Sequence, residues 1–220
     1  MDVLYSIQRS VFTVYNLLPV VSMITLFTFG LALGNVGMIS IWGAMVVTTF
    51  LVGILKWLLS RFFTLEKRNL FSLIQLFSDT TGPKTTSDKI LSYWIINITL
   101  LFTALVLNAW QVYKINPMND NVGEIDSKIR NRKTRCIMIM VLCTLVGLAL
   151  VGYRWFKVEG LSLVSTLAVA IGIFIGSIWS MLIEQPSFGI KGNMDIFGIS
   201  QQLVAVKTTD YKTMCELKAA

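Results

Sequence analysis

The chain has 220 residues, of which 55% are hydrophobic and only 14% charged, with a formal net charge of +7 and a mean hydropathy of +0.69. Soluble domains carry about 25% charged residues, so a water-soluble body of this size would have too little polar cover for its apolar surface. The composition excludes an ordinary soluble enzyme, a disordered chain and a secreted disulfide scaffold, and it implies an all-α, multi-pass transmembrane helical bundle.

Charge spacing sets the expected spans. No Asp, Glu, Lys or Arg lies between Arg9 and Lys56, a gap roughly twice the ~20 apolar residues that one crossing needs. The Leu33-Gly34-Asn35-Val36-Gly37 stretch supplies the turn, because glycine and Asn adopt turn geometry at little cost. This gives a first span over 11–33 and a second over 36–55. The first apolar stretch is too long for a signal peptide and carries no small-residue cleavage site. Further charge-free runs place spans at 90–113, 136–153 and 161–183. The fourth is short and ends in a tight polar break (Arg154, Lys157, Glu159, Gly160), so four spans with a re-entrant pair is the alternative to five. Backbone groups in lipid must bond internally, leaving helices or closed barrels, and these runs lack the alternation of barrel strands. Lys and Arg are nearly balanced across the two faces. Setting aside Lys207, Lys212 and Lys218, far down the tail, leans the N-terminus to the cytosolic side.

Three polar stretches remain. From Lys56, cations and hydroxyls (Ser60, Arg61, Thr64, Lys67, Arg68) fall on one helical face and Leu58, Leu59, Phe62, Phe63 and Leu65 on the other, the pattern of an amphipathic juxtamembrane helix on anionic headgroups. Thr80-Thr81-Gly82-Pro83 then marks a turn, and Ser87-Asp88 offers a cap for the third span. Gly82-Pro83-Lys84-Thr85 lacks the glycines and preceding strand of a phosphate-binding loop. The 114–135 loop is acidic first (Asp120, Glu124, Asp126) and basic later (Lys128, Arg130, Arg132, Lys133, Arg135). Its carboxylates fit no calcium-loop register, and its cations adjoin the fourth span, which makes lipid headgroups their expected partner. Nucleic acid is disfavoured, because no aromatic residues interleave with these cations to stack bases. The tail, 184–220, opens on Pro186, Gly189 and Gly192, suits a short strand over Ile196–Val206 and a brief helix after Thr209-Asp210, and is too short to form a core alone. It is expected to dock on its own bundle or on a neighbouring chain.

Chemistry-bearing residues are scarce. The absence of histidine removes the commonest general base and metal ligand, so no catalytic residue, metal site or cofactor is expected. Cys136 and Cys143 lie about 10 Å apart along one helix, too far for a disulfide, and Cys215 has no partner within the pattern. No ionisable residue falls inside the five spans as drawn. Asn97 and Asn108 share a face of the third span; they serve inter-helix hydrogen bonds or, in the sharper reading, line a polar path. Ala168, Gly172, Gly176 and Ser180 recur every fourth residue on the fifth span, and Gly30 and Gly34 close the first. Such small-residue ridges allow close helix approach, within one chain or between chains. These features suggest a non-enzymatic structural subunit of a larger membrane assembly, in an organelle or in the lipid layer of a virion, that contacts other subunits or copies of itself. The alternative is a small oligomeric channel or transporter-like protein lined by the two Asn residues.

Overall fold

In a computed structural model, residues 2–62, 92–114, 123–159, 163–184 and 196–197 are described. Five helices carry the fold: α1 (Asp2–Ala32), α2 (Val36–Phe62), α3 (Tyr93–Lys114), α4 (Gly123–Tyr153) and α5 (Leu163–Glu184). Each contains a stretch long and apolar enough to cross a bilayer, which gives five candidate spans among the described residues.

The α1–α2 corner and the start of α3 are written locally. Gly34 takes φ +61°, the left-handed region that glycine enters at no steric cost. Around it, Asn35 N–H donates to Gly30 O at 2.8 Å and Gly34 N–H to Leu31 O at 3.2 Å, closing α1 in a Schellman motif that satisfies its last carbonyls. Asn35 then caps α2, its Oδ1 accepting from Met38 N–H at 3.1 Å, as an Asn N-cap does. Ser92 does the same for α3, through Ile95 N–H at 3.4 Å. The third span therefore begins at Tyr93 rather than at residue 90, while the expected Ser87-Asp88 cap lies outside the described residues.

Two other boundaries differ from the charge-run reading. α2 continues through Phe62, so the first cationic turns after Leu55 prolong the span instead of starting a separate helix. α4 is a single helix of 31 residues. Nothing between Gly123 and Arg135 breaks a helix, and Glu124 and Asp126 stand in its first turns, where the helix dipole favours acidic residues. The basic half of the supposed 114–135 loop is thus the start of α4, and the fourth span is a full crossing.

α3 is the hub. In its most apolar 18-residue stretch 61% of residues are buried, against 11% for α1, and α5, α4, α2 and α1 all pack on it. One core cluster joins Met23, Ile41, Ala44 and Met45 to Leu100, Leu101 and Ala104. A second joins Val52 to Trp94, Ile95, Ile96 and Ile98, with Val151 and Ala168. Outward faces stay apolar: Val14, Ile24 and Phe29 on α1, Met138, Leu142 and Leu148 on α4, and Phe174 and Met181 on α5 are exposed. In a lipid solvent that is the expected exterior.

Candidate functional site

The most built-up polar site lies where the N-terminal half of α1 meets the start of α3 and the end of α4. Two helix irregularities lie at it. Pro19 sits inside α1 and has no N–H to give the carbonyl four residues earlier. That carbonyl belongs to Tyr15, and Trp94 Nε1–H of α3 donates to it at 2.9 Å. On α4 the helix widens into a six-residue π-helical turn, Arg154–Glu159, where the backbone ladder changes register. Just before it, Leu150 O accepts from the Tyr15 hydroxyl at 2.8 Å. Pro19 leaves the Tyr15 carbonyl without its helical donor and Trp94 occupies it, while the Tyr15 hydroxyl adds a link to a carbonyl of α4.

Arg154 occupies the centre of this node. It is 7% exposed, its guanidinium lies 5.0 Å from the Trp94 ring centroid and 6.0 Å from that of Tyr15, and Nη1–H donates to Asn16 Oδ1. Tyr15 and Trp94 pack at 4.7 Å, and Tyr153 meets Tyr15 edge-on at 5.4 Å. A weakly hydrated, planar cation suits an aromatic cage of this kind. The arrangement ties α1, α3 and α4 together. The charge-run reading left Arg154 in the tight polar break after the fourth span. Two signals in the sequence mark the node: Pro19 four residues after Tyr15, and the aromatic residues Tyr15, Trp94 and Tyr153 at three span ends.

At the opposite end the tail enters the bundle. Ile196 and Phe197 form a turn rather than the start of a strand. Ile196 is 6% exposed within the first core cluster, its N–H donates to Asn108 Oδ1 at 3.4 Å, and its carbonyl accepts from Asn35 Nδ2 at 3.4 Å. Both backbone groups of one residue are therefore held by two Asn side chains. Beside it lies a recess of about 20 Å³ lined by Gly37, Gln111, Trp179 and Ser180 among others, room for roughly one water molecule. Gln111 Nε2–H donates to Ser180 O at 3.2 Å, and Trp179 Nε1–H to Ser40 Oγ at 2.9 Å.

Asn97, paired with Asn108 in the polar-path reading, is fully buried. Its Nδ2 donates back along α3 to Tyr93 O at 3.1 Å. Its Oδ1 has no hydrogen-bond partner among the described residues, and neither has Thr99 Oγ1. The α5 ridge faces α3: a Cβ on Gly172 would lie 2.8 Å from Ile96 O, and one on Gly176 3.1 Å from Leu100 O. Ala168 and Ser180 are buried on the same ridge. Gly30 abuts α2, with Ile39 Cγ1 2.8 Å from a would-be Cβ, but Gly34 has nothing within 4 Å. Gly34 is a turn residue, required for its φ and not for packing.

The cations assigned to headgroups divide. Lys56 is 8% and Arg132 4% exposed, so both are packed inside the bundle and depart from the headgroup reading. Their long apolar stems allow this where a charged group alone would resist it. Arg130 and Arg135 are exposed on α4 and Lys133 is half-buried. Arg61 and Lys128 lie on described helix backbone, and Lys67, Arg68 and Cys215 lie outside the described residues. Cys136 and Cys143 are free thiols.

The chain is a multi-pass α-helical membrane protein, with five candidate spans among the described residues packed around a central α3. No family model matches its sequence, no curated protein matches it, and no solved structure matches its fold.

Proposed function

We propose that the chain is a non-enzymatic scaffolding subunit of a larger membrane assembly. The observation that carries this reading is the use of its interior polar groups. Asn108 holds the backbone of Ile196, the recess beside it has room for roughly one water molecule, and Arg154 bridges three helices inside an aromatic cage. Intramembrane polar residues commonly mark transport paths, whereas these link helices or bind the tail. A body closed in this way offers its apolar outer faces, above all those of α1 and α4, to lipid and to other subunits.

Extraction from native membranes in mild detergent, followed by identification of co-purifying chains, tests the role. A reproducible set of partners is expected, and a chain that always migrates alone overturns it. Planar-bilayer recordings of wild type, Asn97→Leu and Asn108→Leu test the channel alternative, and a conductance altered by either substitution would replace the scaffold with a pore. The Lys/Arg balance sets the N-terminus cytosolic in this reading, which cysteine labelling next to each span end checks.

A further inference from the structure

We propose that the α3–α4 end of the bundle is a binding site for the headgroup of an anionic phospholipid. It needs only the membrane-spanning bundle and is independent of the scaffold role. The last turns of α3 place Trp110, Tyr113 and Lys114 on one side of the helix, at three- and four-residue spacing. Trp110 and Tyr113 stack with ring centroids 5.6 Å apart and planes 9° from parallel. Trp110 is 41% exposed. Two ammonium groups, one from each helix, sit over this stack: Lys114 Nζ lies 5.1 Å from the Trp110 centroid, and Lys133 Nζ lies 5.7 Å from that of Tyr113. Val112 and Cys136, buried against each other with Tyr113 and Ile139 around them, fix the two helices in this register.

Three features point to a lipid headgroup. The two ammonium groups, one from each helix, converge on the faces of a single stacked ring pair. Lys114 ends α3 and Arg130 and Arg135 are exposed on the neighbouring helix, so positive charge gathers at one end of the span. Trp and Tyr beside Lys at a span end mark the headgroup level of a bilayer. Further along α4, Met138, Val141, Leu142 and Leu145 are exposed on one apolar face, a surface suited to acyl chains. A basic pocket between helices at this depth suits a charged headgroup, and each cation near a charged surface raises affinity roughly fivefold.

The test is tryptophan quenching in the full chain reconstituted into nanodiscs of phosphatidylcholine with a minor fraction of brominated phosphatidylglycerol. Subtracting the signal of Trp110→Phe isolates Trp110 from the other tryptophans. Brominated phosphatidylglycerol is expected to quench Trp110 as though enriched over its bulk fraction by at least roughly fivefold, and by up to roughly 25-fold if both cations act fully, whereas brominated phosphatidylcholine at the same fraction quenches at the bulk level. In Lys114→Gln/Lys133→Gln the enrichment should vanish, and in Lys114→Arg/Lys133→Arg it should persist, which separates lost charge from lost folding. Equal quenching by the two brominated lipids in wild type, or enrichment that survives the Gln pair, overturns the site.

Discussion

Both ends of the bundle set cations over aromatic rings, and the two arrangements do opposite things. At the α1–α3–α4 node the guanidinium of Arg154 is buried over Trp94 and Tyr15 and hydrogen-bonded to Asn16. At the α3–α4 end the ammonium groups of Lys114 and Lys133 lie over exposed or half-buried rings. The same pair of chemical groups is a structural tie where the cation is desolvated and has a polar partner, and a receptive surface where it is not. Burial decides between them, because a cation–π contact strengthens from about 0.5–1 to about 2 kcal/mol as water is removed.

That contrast can be broken by substitution. The largest effect belongs to the buried cation: Arg154→Ala should cost about 3 kcal/mol, from its hydrogen bond and two ring contacts, read as a drop in thermal unfolding temperature in detergent. Lys133→Ala should change stability by less than about 0.5 kcal/mol. Equal losses at the two positions would erase the distinction between the ends.

Next in size is the close approach that positions α3. Gly172→Ala brings a methyl group to 2.8 Å from the Ile96 carbonyl, backbone that cannot swing aside, so α5 must move outward at a cost of about 2 kcal/mol. Ser180→Ala, on the same ridge, serves as its mild control. Smaller again is the tail clamp. Asn108→Ala should cost about 1 kcal/mol and raise maleimide labelling of a cysteine placed at Ile196. Unchanged labelling would mean that the core packing of Ile196, and not the Asn pair, retains the tail. Asn97→Leu should act in the other direction, stabilising by about 1 kcal/mol, since it removes a buried carbonyl oxygen that lacks a partner.

The membrane-spanning character and the five helices were legible because charge avoidance over some twenty residues is imposed by lipid itself. The α1–α2 corner was legible for a similar reason: Gly34 and Asn35 leave few backbone alternatives. Helix ends near charged residues were not. A run of Lys and Arg reads as a loop, yet nothing in Lys128–Arg135 stops a helix, so α4 starts at Gly123. Arg154 and Ile196 were missed because both depend on long-range partners. Arg154 meets Tyr15, Asn16 and Trp94, and Ile196 meets Asn35 and Asn108; Pro19 and the aromatic residues hint at the first node, but nothing local pairs them across so many residues.

α4 carries a cation at each end of its apolar length, Lys133 near one bilayer boundary and Arg154 at the other. Their separation along the helix is about 30 Å at 1.5 Å per residue, close to the thickness of the hydrocarbon layer. The helix therefore holds its own gauge. Sliding it up or down would drag one charge into oil, and shortening or lengthening the stretch between them would force the rod to lean or the sheet of lipid around it to thin or swell.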